Sequence, residues 1–408
     1  MNTEKMLPLE GIKVVELATL VAAPTAGRML SAYGAEVIKV ENTSGDDLRH
    51  SGEHQRVICE DYKNPVFTIH NSGKKLVAIN LKSSDGKEAF LKLLEDADVL
   101  ISNVREASLK RLGLDYDSLK DKYPKLIYAH FTGFGPKGPC AGEPGFDSTA
   151  FWLRTGPQSD WQLPGYYPFL PTYAFGDMST SSVLLSGILM ALIGRQHTGK
   201  GTLVNTSLFA SGIWCNAVGV VSHQPQFGGK RRPDPTHPVD PLSRIYKCAD
   251  DNWIGVFDNE YSRDKEKFAR ILGIPQLVED PRCATIQELA RTDAVVEIVE
   301  KMCQVFLTKT SYEWRDYLKK NDVSCEVLRR LGDVYQDEQA IANGYVEEME
   351  FADGVKAVMP CPPVHFSEFG RRPYISCGTI GEDTDEVLGA LGYSEEKISQ
   401  MRQDGAVK

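Results

Sequence analysis

The nine cysteines of this 408-residue chain include no CxxC pair, and its eight histidines form no HExxH motif. A zinc site or a thioredoxin-like redox centre is therefore not expected, and the odd, irregularly spaced cysteines read as reduced structural thiols. No GxSxG is present, so a serine hydrolase of the α/β type has no nucleophile elbow. No apolar run approaches the ~20 residues needed to span a bilayer; the longest, 183–193, is interrupted by Ser186 and Gly187. Residues 1–10 carry no apolar core of a signal peptide. The expectation is a cytoplasmic protein without a membrane partner. Positive charge is also in deficit, with 46 Lys and Arg against 56 Asp and Glu and a net charge of -10. That balance excludes a general nucleic-acid binder, though a local basic cleft can still take an anion. Repeats and low-complexity tracts are missing as well.

What is present is ordinary globular material, 42% hydrophobic and 25% charged, in a chain long enough for two to three cores. Residues 12–17 read as a strand, 25–33 as a helix following Pro24 and ended by Gly34, and 36–41 as a second strand. Further strands are expected at 76–81, 99–102 and 126–131, with an amphipathic helix at 84–94. This alternation predicts an α/β fold, a large Rossmann-like domain on an open, mainly parallel sheet. Residues 133–176 are irregular and hold seven prolines, which marks a segment suited to carry a site. An apolar helix is expected over 178–195 and a strand over 202–208. The large domain covers 1–223, a Pro- and Gly-rich linker 224–241, a small α/β domain 242–330, and a return segment 331–408 completes the large domain.

Several local patterns invite a chemical reading. Residues 133–138 satisfy GxGxxG, but Pro136 and Pro139 remove amides that a pyrophosphate would need, so a dinucleotide-binding dehydrogenase is not supported. Thr198-Gly199-Lys200-Gly201 follows a helix instead of opening one, and Gly199 reads as its left-handed C-terminal cap. Asp177 lies between Gly176 and the apolar helix, where an aspartate is commonly an N-cap. The same place suits a nucleophilic carboxylate, because helix-end amides favour the ionised form. Lys74, Lys75 and Lys82 flank one strand, and Arg105, Lys110 and Arg111 follow another. Each is by itself a solvated basic position; together they lie where open α/β sheets take nucleotides. Lys230, Arg231 and Arg232 read as solvated linker.

The order of segments resembles the class III coenzyme A transferases, also called the CaiB/BaiF or formyl-CoA transferase family. The matching stretches are Leu9-Glu-Gly-Ile-Lys-Val-Val-Glu-Leu17, Ala22-Ala-Pro24, Gly34-Ala-Glu-Val-Ile-Lys-Val-Glu41, Arg111-Leu-Gly113, Pro144-Gly-Phe-Asp147, Gly176-Asp177 and Gly381-Glu-Asp-Thr-Asp-Glu-Val-Leu388. The resemblance implies that Asp177 is the catalytic nucleophile, passing through a mixed anhydride and an aspartyl-CoA thioester; amides near Gly176 and the helix start are placed to stabilise the oxyanions of such steps. It places coenzyme A contacts on Leu81, Lys82, Asn103, Val104, Arg105, Arg111, Phe146 and Asp147, and the substrate pocket at Val21 and Ala22. Coenzyme A and its acyl thioesters are then substrates; no permanently bound cofactor and no metal are implied. An interlocked, ring-like homodimer is implied too.

Val21 stands where the oxalate-handling branch has glutamine, Asn42 where it has arginine, and no glycine-rich loop follows Ile254. The stretch Pro144 to Arg154 resembles instead the branch acting on (R)-2-hydroxy acids, phenyllactate and 2-hydroxyisocaproate among them. There Val21, Phe151 and Trp152 suit an apolar acyl chain, although the two aromatics suit a core equally well. Small carboxylic acids are the expected acceptors, and a 2-hydroxyacyl-CoA dehydratase is a partner the sequence leaves open. An acyl-CoA racemase of the same fold and a non-catalytic CoA-binding protein remain alternatives.

Overall fold

The computed structural model describes residues 5–163, 165–169, 171, 173–228, 238–258 and 260–408. The chain divides into two compact units, one comprising Met1–Gln158, Phe169–Gly229 and Glu338–Lys408, the other Ser159–Pro168 and Lys230–Asp337. The middle of the expected linker, with Lys230, Arg231 and Arg232, lies outside the described residues.

The larger unit is built on six parallel strands: β1 (Lys13–Leu17), β2 (Glu36–Glu41), β3 (Lys75–Ala78), β4 (Val99–Ser102), β5 (Ile127–Thr132) and β6 (Leu203–Ser207). Their order is β3-β2-β1-β4-β5-β6, so the chain reverses its direction of growth between β1 and β4. Side chains alternate between two cores, as a strand buried on both faces requires. Val14, Val99, Ile101 and Ile127 join a cluster with Ala26 and Leu30 of the first helix, Ala22–Ala32, and Leu184 and Ile188 of the long helix, Phe175–Thr198. Val15, Leu100 and Tyr128 join a second cluster with Phe90, Leu388 and Met401.

The long helix runs three residues past each end of the expected 178–195. Gly199 ends it at φ 68°, the left-handed cap that the sequence reading places there. At 24 residues it is, among the described residues, the one helix long and apolar enough to cross a bilayer by length and composition. Its inner face packs on the first helix and on β5 and β6. Its outer face leaves Met178, Val183, Met190 and Ile193 exposed.

The smaller unit pairs β7 (Ser243–Lys247), β8 (Trp253–Phe257) and β9 (Cys325–Val327) antiparallel. The β7–β8 turn places Asp251 at φ 61°. Helices Tyr261–Leu272, Ala294–Phe306 and Ser311–Lys320 cover the sheet around Tyr246, Phe268, Met302, Phe306 and Trp314. A hairpin of β10 (Val346–Glu350) and β11 (Lys356–Pro360) belongs to the return segment.

Candidate active site

A cleft of about 510 Å³ opens at the carboxyl ends of β1, β4 and β5. It straddles the point where strand order reverses, the place where open α/β sheets take their ligands. Thr19 to Ala22 form one wall and Asn103 to Ala107, with Lys110, another; the ends of β5 and the irregular segment Ala141 to Phe146 supply the rest, and Asp177 lines the cleft. Gly133 and Gly145 hold that segment against β5: a Cβ on Gly133 would lie 2.6 Å from the Gly145 Cα. The two backbones touch because neither residue carries a side chain. Residues 133–146 form turns, with Gly135 and Gly138 at positive φ, and none of the helix that a dinucleotide fingerprint needs.

Of the residues singled out from sequence, Asp177, Val21, Ala22, Asn103, Val104, Arg105 and Phe146 meet at this cleft. Leu81 and Lys82 follow β3, on the same carboxyl edge but outside the lining, and Arg111 sits on the helix Glu106–Leu112 with its guanidinium donating to Ser108 Oγ at 3.0 Å. Asn103 commits its side chain to the protein: its Oδ1 accepts from the Thr19 amide at 3.0 Å and its Nδ2 donates to the Thr19 carbonyl at 2.7 Å. Phe151 and Trp152, 2% and 6% exposed, pack in the core and do not line the cleft. Lys74 is no solvated lysine: its ammonium is fully buried and pairs with Glu16 at 2.7 Å.

Asp177 is not the N-cap. The helix begins at Phe175 after Ala174, held at φ 54°, and Asp177 is its third residue. The carboxylate facing the helix start comes from Asp147, thirty positions earlier, at the opening of a wide π-type turn, Asp147–Leu153. Asp147 Oδ1 is buried and makes no hydrogen bond of standard geometry. The amides of Gly176 and Asp177 nonetheless lie close enough to draw the Asp147 carboxyl down against the burial that raises it. These amides therefore lie beside a protein carboxylate.

The expected ionising influence on Asp177 is also reversed. Burial first, and the Asp147 charge second, push its carboxyl up to about 7. Desolvation outweighs the helix dipole, whose influence is worth about 1 kcal/mol or less at most exposed sites. The site thus pairs two carboxylates, one poised near neutrality, and such perturbed groups in a cleft mark functional sites.

Charge buried beneath the cleft escaped the sequence reading. Lys39 bridges Glu16 at 3.2 Å and Asp46 at 2.9 Å, all with side chains 0% exposed. His70, driven by burial to about 3 and so neutral, meets Thr25 Oγ1 at 2.8 Å, and Thr25 donates to the Val21 carbonyl. The signal was available: Glu16, Lys39 and Glu41 are charged residues inside strands buried on both faces, where only paired charge is tolerated.

The description "CoA-transferase family III" matches residues 9–384. The chain is 36% identical over 400 residues to the (R)-2-hydroxy-4-methylpentanoate CoA-transferase of Clostridioides difficile, covering 98% of this chain and 99% of that one. It is 35% identical over 401 residues to the cinnamoyl-CoA:phenyllactate CoA-transferase of Clostridium sporogenes, covering 97% and 96%. Among solved structures, a CAIB/BAIF family protein from Brucella suis superposes with a TM-score of 0.80 at 27% identity, over 95% of this chain and 100% of that one.

Proposed function

The chain belongs to CoA-transferase family III, and from that premise we propose that Asp177 is the nucleophile through which it moves coenzyme A from an acyl-CoA donor to an (R)-2-hydroxy acid. One observation carries the reading: Asp177 lines the switch-point cleft as a carboxylate destabilised by burial. A carboxylate short of solvent is a stronger nucleophile than a hydrated one.

The chemistry is a sequence of balanced exchanges. A carboxylate oxygen of Asp177 attacks the donor acyl carbonyl, and the CoA thiolate leaves as the mixed anhydride forms. That thiolate attacks the aspartyl carbonyl, expels the donor acid and leaves an aspartyl-CoA thioester. The acceptor carboxylate attacks this thioester, regenerating an anhydride and the thiolate, which then takes the acceptor acyl group and frees Asp177. No proton is gained or lost over the cycle. Arg105 and Lys110, basic residues of the cleft wall, suit the phosphates of coenzyme A. Names of the two relatives favour an apolar 2-hydroxy acid as acceptor, and Val21 and Ala22 give the cleft an apolar wall for it.

The same fold could serve an acyl-CoA racemase, which needs a histidine as partner to the aspartate. The cleft histidine, His130, is committed elsewhere: its Nε2 meets the Val104 carbonyl at 2.9 Å and its Nδ1 faces Glu106 at 3.7 Å. That arrangement favours transfer. The exposed apolar face of the long helix, continued by Trp214 and Val218, supports burial against a second copy of the chain in an interlocked, ring-like homodimer. A panel of acyl-CoA donors and carboxylic acids, read by the thioesters formed, tests the assignment; a solution mass alongside it tests the dimer. Racemisation of a single chiral acyl-CoA without acceptor, in place of transfer, would reverse it.

The pH dependence has a defined sign. Attack requires ionised Asp177, whose carboxyl sits at about 7, so kcat/KM is expected to rise with unit slope as pH climbs toward 7 and to level off above it. Stability moves the other way in the same window. Between the usual carboxylate range and 7 the native chain keeps a proton that the unfolded chain has lost, so this group increasingly opposes folding as pH rises. Flat activity from pH 5 to 8 would contradict the shift.

A further inference from the structure

Leu20 stands at the turn between β1 and the first helix, on the wall of the cleft. Its φ is 64°, the left-handed region that a branched L side chain avoids. Every residue of the turn is gripped. The Leu20 amide donates to Asp46 Oδ1 at 3.0 Å, and Lys39 Nζ donates to the Ala18 carbonyl at 2.8 Å while pairing with Asp46. Asn103 holds both backbone groups of Thr19, and Thr25 holds the Val21 carbonyl at 2.7 Å.

Glycine would adopt this conformation without strain, so the leucine side chain is kept at a cost. Packing does not account for it. Leu20 is only half-buried and joins none of the hydrophobic clusters of the fold. Strain held in place by its surroundings, on a ligand cleft, is where function is expected.

We propose that Leu20 is a specificity-determining residue: the pinned turn presents its side chain to the acyl group of the bound thioester, selecting branched or aromatic acyl chains over short ones. This rests on the reading of the cleft as the acyl-CoA site. It differs from that reading in assigning selectivity to a residue whose backbone, and not its sequence neighbourhood, marks it out.

The test compares Leu20→Gly and Leu20→Met with the wild type, using 2-hydroxy-4-methylpentanoate and lactate as acceptors against one fixed donor. Leu20→Gly is expected to lower the ratio of kcat/KM for the branched over the short acid by roughly tenfold to a hundredfold. Its melting temperature should stay within about 2 °C of the wild type, since relief of strain offsets the lost side chain. Leu20→Met should keep the selectivity. An unchanged ratio in Leu20→Gly, an equal loss in Leu20→Met, or a collapse of the melting temperature overturns the proposal. Mass spectrometry of the same samples keeps the two readings apart. Selectivity lost with an Asp177 adduct retained supports Leu20; an adduct missing even from the wild type counts against the nucleophile, whatever Leu20 does.

Discussion

Asp177→Ala is expected to lower kcat/KM for transfer by about a thousandfold or more, while coenzyme A still binds. The size follows from the role: a nucleophile that carries both the anhydrides and the thioester has no substitute, and what remains is binding and orientation. Retained binding follows from placement. Arg105 and Lys110 sit on the wall built by β4 and its helix, whereas Asp177 enters from the long helix. The variant should also fold at least as well as the wild type at neutral pH, because a half-buried carboxylate raised to about 7 is destabilising in its ionised form. Transfer at undiminished rate would remove Asp177 from the reaction. Loss of both transfer and coenzyme A binding would point instead to a collapsed site.

Gly176→Ala is the second large effect. A Cβ at Gly176 would stand 2.2 Å from Asp147 Oδ1 and 2.5 Å from Phe151 Cγ. Neither neighbour can give way cheaply. The Asp147 oxygen is buried, and the Phe151 ring is packed edge-on against Trp152 with centroids 5.6 Å apart. Overpacking of this kind costs about 1–3 kcal/mol, and the strain falls on the peptide that carries Asp177. A displacement near 1 Å at a reacting group can cost ~100-fold in rate, so activity should fall well beyond the loss of stability. Gly194→Ala in the same helix is the matched control, because nothing lies within 4 Å of its added Cβ. It should be neutral or stabilising by up to ~1 kcal/mol, as alanine is the better helix former. Equal outcomes for the two variants would mean that Gly176 is helix filler.

Much of the larger unit was legible because its signals are local. The parallel strands carry short apolar stretches, such as Val99 to Ile101, separated from one another by Gly or Pro punctuation, and all six expected strands lie within about three residues of those observed. In the antiparallel hairpin β10–β11 the strand Val346–Glu350 carries three glutamates, a composition that gives little strand signal. The start of the long helix was misread for a different reason. Gly176-Asp177 looks like a turn and a cap because the carboxylate at that helix end, Asp147, arrives from thirty residues away. Periodicity contains no trace of such a partner. The pKa of Asp177 was reversed for the same cause, since burial is set by tertiary packing and the dipole argument sees only the helix.

Charge inside the sheet was the readable signal that went unread. Lys39 and Glu41 share a strand face with Val37, all three buried. Two charges on the inward side of a parallel strand imply a buried partner network. Leu20 carries no such signal. Its backbone conformation follows from Asp46, Lys39 and Asn103 acting together, and no spacing in the sequence announces that convergence.

The central claim, that Asp177 forms covalent intermediates, is tested most directly by trapping. The protein is incubated with an acyl-CoA donor, treated with hydroxylamine, digested and analysed by mass spectrometry. The account predicts a hydroxamate on the peptide containing Asp177, present only when acyl-CoA is added and missing from Asp177→Ala. Full transfer activity with an unmodified Asp177 peptide, or a hydroxamate on another carboxylate, would contradict it.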